Sequence, residues 1–197
     1  MDKSPIKFDD FFKSACVFEA SLILVAVGLG WIASINPFEN IHFSEMAILY
    51  GVIGTMPLFL MFLALEKIQG DSVVKIKNLL LNTLGPGLHS YHWTDLLILA
   101  SIAGVSEELL FRGVIQPWIE NSWGAATGLI ASNILFGLVH AVTPLYAVLA
   151  MLVGIYLSLS LTYGGETNVL VPIIIHGFYD FLAFVVLMRI YRSSLNS

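Results

Sequence analysis

Six apolar stretches run through the chain, at residues 15–35, 46–65, 94–118, 124–142, 144–163 and 168–190. A helix needs about 20 predominantly apolar residues to cross a bilayer, and it satisfies all its backbone hydrogen bonds internally. The composition agrees, since 57% of the residues are hydrophobic and 12% are charged, about half the charged fraction of a soluble domain. The sequence therefore predicts an all-α, polytopic membrane bundle of about six transmembrane helices, forming a single domain over residues 1–197.

The first apolar stretch, residues 15–35, is longer than the core of a secretory signal, and no cleavage site of small residues closes it. We expect it to stay in the protein as a membrane anchor. Glu19 lies in its first turn, where an acid favours the helix dipole and can reach the interface. We therefore interpret Glu19 as structural rather than catalytic.

The longest polar connection, residues 66–93, contains a second kind of helix pattern. Apolar residues at helical spacing oppose polar and basic ones over residues 72–84, namely Val73, Ile76, Leu80 and Leu84 against Lys75, Lys77, Asn78 and Asn82. The pattern predicts an amphipathic helix lying on an anionic membrane surface, ended by Gly85-Pro86-Gly87. His89 and His92 follow with Tyr91 and Trp93, and an interfacial aromatic belt explains them better than a metal site does.

Basic residues are distributed on alternate sides of the predicted spans. Apart from Arg112, they lie in the N-terminal segment, in the 66–93 connection and at the C-terminus. The positive-inside rule then predicts that both termini are cytoplasmic. The net charge of −5 and the lack of a long basic patch exclude nucleic acid as a partner. The single cysteine, Cys16, excludes an intrachain disulfide and a cysteine-based metal site.

The third apolar stretch contains the charged motif Ser106-Glu107-Glu108-Leu109-Leu110-Phe111-Arg112-Gly113. Each charge at the bilayer centre costs at least about 2.5 kcal/mol, so charges there indicate function. On a helix, Glu108 and Arg112 are four residues apart and can pair. Glu107 points to the face shared by Ala103 and Gly104, where a neighbouring helix can come close.

Two other stretches carry ionisable residues that can meet Glu107. His140 ends the fourth stretch, with Asn133 on the same helix face, and His176 and Asp180 are four apart on the sixth. Such groups face a bundle interior or a water-filled cavity. The helix rise places Glu107 and His140 at different depths if both helices begin at the membrane surface. We therefore expect a tilted or recessed fourth helix, or a deep, water-accessible cavity open to the cytoplasm.

These residues allow more than one chemistry. A carboxylate and a histidine can hold and deprotonate a water, while a second histidine stabilises an oxyanion. Alternatively, Glu107, His140 and His176 can bind a divalent metal such as zinc with one position open for water. A proton-relay or transport role is a third reading, disfavoured by the absence of internal repeats. Hydrogen bonding between helices alone does not account for the cost of burying five ionisable groups in the membrane.

The three motifs, in order, resemble those of the CPBP family of CAAX proteases and bacteriocin-processing enzymes, relatives of the type II CAAX prenyl endopeptidase. Glu107, Glu108 and Arg112 match its Glu-Glu-x-x-x-Arg motif, Phe136 and His140 its Phe-x-x-x-His motif, and His176 and Asp180 its last motif. The resemblance covers residues 96–186, nearly half of the chain. It implies a catalytic core at about residues 94–190, preceded by two spans and the amphipathic connection.

The resemblance implies an intramembrane endopeptidase in a bacterial plasma membrane. Glu107 would activate water, His140 would position it, and His176 with Asp180 would stabilise the oxyanion, braced by Glu108 and Arg112. The partners implied are the lipid bilayer and a peptide or protein substrate, cleaved near its C-terminus and either lipidated, a bacteriocin or a sorting-tag protein. The CAAX branch has Asn where this chain has Asp180. The resemblance leaves glutamate and metal mechanisms open, and it predicts no oligomeric state.

Overall fold

The computed structural model describes residues 8–196, which form helices and connecting turns with no strand. The helices are α1 (Phe8–Ala33), α2 (Glu45–Lys67), α3 (Asp71–Leu88), α4 (Trp93–Leu110), α5 (Gln116–Trp123), α6 (Ala125–Val139), α7 (Pro144–Ser160) and α8 (Leu170–Leu195). A single π-helical segment, Phe111–Ile115, joins α4 to α5. The predicted all-α fold is confirmed. Five of the predicted spans each correspond to one helix, and the third, residues 94–118, comprises α4, the π-helical segment and the start of α5. Residues 1–7 of the predicted polar N-terminal segment lie outside the described residues.

Membrane-spanning character is clearest in three helices. Phe11–Ala33, Glu45–Lys67 and Leu170–Leu195 are long and apolar enough to cross a bilayer. Helices α6 and α7 are apolar but shorter, with 15 and 17 residues. At 1.5 Å per residue they extend about 22 and 25 Å, less than the ~30 Å of hydrocarbon. Because both helices are short, the turn that joins them can lie inside the bundle rather than at its end.

Helix α8 is at the centre of the bundle and packs against α4 and α2. The closest approach is between Gly104 of α4 and Gly177 of α8, because a Cβ at Gly104 would lie 2.7 Å from the Gly177 nitrogen. Small residues at such a crossing let two helix backbones come together. The prediction that a neighbouring helix approaches this face of α4 is therefore confirmed, and the neighbour is α8.

The predicted amphipathic helix is present, but the expectation about where it ends was wrong. It continues through Gly85-Pro86-Gly87 to Leu88, because the ring of Tyr191 covers Gly85 and the ring of Phe11 covers Gly87. Its four apolar residues, Val73, Ile76, Leu80 and Leu84, line a cavity within the bundle. The apolar face of α3 therefore covers this cavity.

The histidines after α3 have local structural roles. Nδ1 of His89 donates to the carbonyl of Gly85 over 3.0 Å. The side chain of His92 caps the start of α4 in a capping box with Asp95, which satisfies backbone groups that a helix end leaves open. Both imidazoles are thus engaged at helix ends.

Candidate active site

The predicted ion pair between Glu108 and Arg112 is present and fully enclosed. Nη1 of Arg112 donates to Oε1 of Glu108 over 2.9 Å, and the two residues are 3% and 0% exposed respectively. Arg112 lies in the π-helical segment, an irregularity that is frequent at functional sites. The aromatic ring of Phe136 lies 4.7 Å from the guanidinium carbon, where a cation–π contact adds to the pair.

A buried polar network holds the far side of the Arg112 guanidinium. Nη2 donates to Oδ1 of Asn133 over 3.0 Å and to the carbonyl of Gly154 over 2.7 Å. Asn133 and Arg112 both donate to Oγ of Ser158, which in turn donates to Oε1 of Gln116 over 2.7 Å. The sequence prediction placed Asn133 on the site face but missed Ser158 and Gln116. Gln116 lies four residues after Arg112 inside an apolar stretch, a signal that could have identified it.

His176 contacts Glu108, which corrects the predicted arrangement. Nδ1 of His176 donates to Oε1 of Glu108 over 2.8 Å. The sequence prediction assigned Glu108 to Arg112 alone and placed His176 opposite Glu107. Glu108 follows Gly104 by four residues, so the close crossing with Gly177 brings the neighbouring His176 onto Glu108. Both bonds end on Oε1 of Glu108, and its Oε2 has no hydrogen-bond partner.

Glu107 and His140 face each other, as the sequence indicated. Oε2 of Glu107 lies 3.5 Å from Nε2 of His140, and it accepts no hydrogen bond. Nδ1 of His140 donates to the carbonyl of Phe136 over 2.8 Å, so Nε2 of the neutral ring is an acceptor. Two acceptors facing each other across 3.5 Å can share a donor placed between them.

Asp180 is the last of the predicted site residues, and it lies farther from His176 than Glu108 does. Its Oδ2 lies 3.5 Å from Nε2 of His176, which is too long for a strong hydrogen bond. The imidazole of His176 therefore lies between two carboxylates, bonded to Glu108 and facing Asp180. The predicted i, i+4 relationship is present, but Glu108, and not Asp180, makes the short contact that orients the ring.

One cavity of about 480 Å³ joins these groups, lined by Glu107, His140, His176 and Asp180. Glu107 lies 14 residues after Trp93, about 21 Å along the helix axis. Because His140 directly follows the end of α6 and contacts Glu107, the α6–α7 turn lies deep in the bundle. This recessed turn accounts for the expected difference in depth between Glu107 and His140. The cavity extends from the turn to α3.

Glu19 of α1 lines the same cavity. Because α1 begins at Phe8, Glu19 lies about three turns into the helix, so the expected position in the first turn was wrong. The side chain is half-buried and its Oε2 has no hydrogen-bond partner. Its position in the first turn of an apolar stretch looked typical of an interfacial acid. Only the packing of α1 on α4 shows that this face of the helix points inward.

The alternative metal site fits the geometry poorly. Within residues 8–196, no group of three or more His, Cys, Asp or Glu side chains has an arrangement that could hold a metal ion. Of the three predicted ligands, Glu107 and His140 are close, but Nδ1 of His176 is bonded to Glu108 and its Nε2 faces Asp180. The three side chains therefore do not converge on one point.

The apolar helices and the enclosed acid–histidine cavity define a helical integral membrane protein with a candidate hydrolytic centre. A family model described as "Type II CAAX prenyl endopeptidase Rce1-like" matches residues 89–182, the range that contains all six predicted site residues. The matched segment, just under half of the chain, is similar to the CAAX protease family that the three motifs resemble, and this similarity supports a protease activity on a peptide or protein at the membrane. No curated protein and no solved structure matches the chain.

Proposed function

We propose that this protein is an intramembrane endopeptidase that hydrolyses a peptide bond with a water activated by Glu107 and His140. The observation that carries the proposal is the 3.5 Å separation between Oε2 of Glu107 and Nε2 of His140. A water on the cavity side that bridges these two acceptors donates one proton to each, which directs an oxygen lone pair into the cavity. General-base catalysis of this kind contributes about 10²- to 10⁴-fold in rate.

His176 is proposed to stabilise the oxyanion that forms when the water oxygen attacks the scissile carbonyl. Its Nδ1 donates to Glu108, so Nε2 donates to the oxyanion in the imidazolium form, in which both ring nitrogens carry a proton and the charge is balanced by the carboxylates of Glu108 and Asp180. Glu108 and Arg112 act as positioning residues because they hold this ring in place. The proton taken from water passes from Glu107 to the leaving amine as the tetrahedral intermediate collapses, so the net reaction consumes one water and releases two peptides.

The cavity lining supports a membrane-associated substrate, and the similarity to the CAAX endopeptidase family supports cleavage near its C-terminus. Between the site and α3 the walls are mostly apolar, with Phe62, Leu65, Ile76, Leu80 and Phe184 among the lining residues. An apolar peptide or a lipid-modified segment would lose little solvation on entering such a space. The distribution of basic residues supports a cytoplasmic opening at the α3 end, with both termini on that side.

The proposed function is tested by comparing membrane proteins from cells that express the wild type or Glu107→Gln. Mass spectrometry of protein C-termini should find one or more truncated C-termini in the wild type that are absent from the variant at equal abundance of the two enzymes. Identical sets of C-termini in both strains, with the protein correctly inserted, would contradict the proposal.

A further inference from the structure

The carboxyl group of Glu19 lies in the cavity, and the proposed reaction does not use this group. It belongs to α1, outside the segment matched by the family model, yet it lines the same space as Glu107, His176 and Asp180. A substrate bound in this cavity can therefore contact both Glu19 and the groups that would react.

Within residues 8–196, each of the other acidic and basic side chains that line this cavity faces a basic or acidic partner. At the α3 end, Nζ of Lys77 lies 2.6 Å from Oε2 of Glu66. Deeper in the cavity, Glu107 faces His140 and Asp180 faces His176, each over 3.5 Å. Arg112 is committed to Glu108 and does not line the cavity.

Glu19 is the cavity-lining acid that faces no such partner. Its Oε2 is buried from solvent and accepts no hydrogen bond, which is costly for a polar atom within a bundle of apolar helices. Ionisable residues inside membrane proteins are commonly paired with one another or mark a substrate path. Among the described residues, no lysine or arginine that lines the cavity is free to pair with Glu19, so a cationic group on a bound molecule would complement its charge.

We infer that Glu19 is a specificity residue that selects substrates carrying a lysine or arginine side chain beside the scissile bond. The inference rests on the proposed function, because it places the peptide in the same cavity. A volume of about 480 Å³ equals a sphere roughly 10 Å across, which an extended peptide covers in about three residues. The basic residue therefore lies within about three residues of the bond that is cleaved.

Two readouts with the purified protein in lipid nanodiscs test this inference. The first is equilibrium binding of two fluorescent leucine–alanine peptides that differ only in one central residue, Lys or Gln. The second is kcat/KM for peptides that span a Glu107-dependent cleavage site, with Lys or Gln at each of the three positions on either side. Each readout is a ratio, so a partial loss of folded enzyme does not change it.

The wild type should prefer the Lys peptide by about tenfold or more in both readouts, the size of one charge-assisted hydrogen bond. Glu19→Gln should reduce the ratio to about one, and Glu19→Asp should retain part of the preference. Glu39→Gln is the matched control, because it removes the same charge from an exposed loop residue and should keep the wild-type ratio.

A ratio near one in the wild type, or a preference that persists in Glu19→Gln, would overturn the inference. The two readouts also separate it from the proposed function. Cleavage without a preference for Lys would contradict the role of Glu19 alone. Preferential binding of the Lys peptide that Glu19→Gln abolishes, without cleavage of any peptide, would support the role of Glu19 and contradict the protease.

Discussion

Nδ1 of His176 donates to Oε1 of Glu108 over 2.8 Å, and this bond joins α8 to α4 at the centre of the bundle. The same oxygen accepts from Arg112 over 2.9 Å. One carboxylate therefore fixes the direction of an imidazole on one side and is itself held by a guanidinium on the other. Orientation of a functional imidazole by a second residue of this kind is common in enzyme sites.

Replacing Glu108 by Gln should lower both stability and activity. The amide cannot accept bonds with the strength of a carboxylate, and Arg112 is left buried without its counter-charge, a change that costs about 3–5 kcal/mol. We expect a clearly lower Tm in detergent and cleavage that is impaired but measurable at low temperature. Glu39→Gln, which removes an exposed charge, should leave both quantities unchanged. An unaltered Tm for Glu108→Gln would contradict the buried ion pair.

The crossing of α4 and α8 predicts a sharp difference between two glycines. In Gly104→Ala the new Cβ meets the Gly177 backbone at 2.7 Å, whereas a Cβ at Gly28 of α1 has nothing within 4 Å. We expect Gly104→Ala to lower the Tm and to impair cleavage, because it pushes His176 away from Glu108. Gly28→Ala should be neutral or slightly stabilising, by up to about 1 kcal/mol from helix propensity. Thermal unfolding of both variants side by side is the test, and equal Tm values would contradict the close crossing.

Removal of metal should leave the cleavage rate unchanged. His176 is bonded to Glu108 and does not converge with Glu107 and His140 on one point, which supports the proposal that the side chains themselves carry out the reaction. Purified wild type should keep its kcat after treatment with chelator and gel filtration, and should contain far less than one zinc per chain by elemental analysis. Activity that is lost with the chelator and restored by zinc would instead support the metal mechanism.

The helical architecture, the Glu108–Arg112 pair and the free face of Glu107 could be predicted from sequence, because each depends on residues that are close together in the chain. Apolar length identified the helices, and the i, i+4 spacing of Glu108 and Arg112 predicted their pair. The exposure of Glu107 to a small-residue face followed from the same helix geometry. These relationships lie within one helix, where the backbone determines which side chains are neighbours.

The remaining features depend on contacts between helices, which spacing alone does not determine. The bond between His176 and Glu108 requires the register of α8 against α4, set by Gly104 and Gly177. Glu19 points into the cavity because of how α1 packs on α4, and α3 continues to Leu88 because Tyr191 and Phe11 cover its glycines. An isolated amphipathic pattern also cannot distinguish lipid from an apolar cavity, since both favour the same residues.

The central claim is that Glu107 activates the attacking water, and the single-turnover cleavage rate of purified Glu107→Gln tests it most directly. Glutamine keeps the shape of the side chain but cannot accept a proton from water, so the rate should fall at least about 100-fold, with a Tm close to that of the wild type. A rate within a few-fold of the wild type, in a preparation that is correctly folded, would contradict the account.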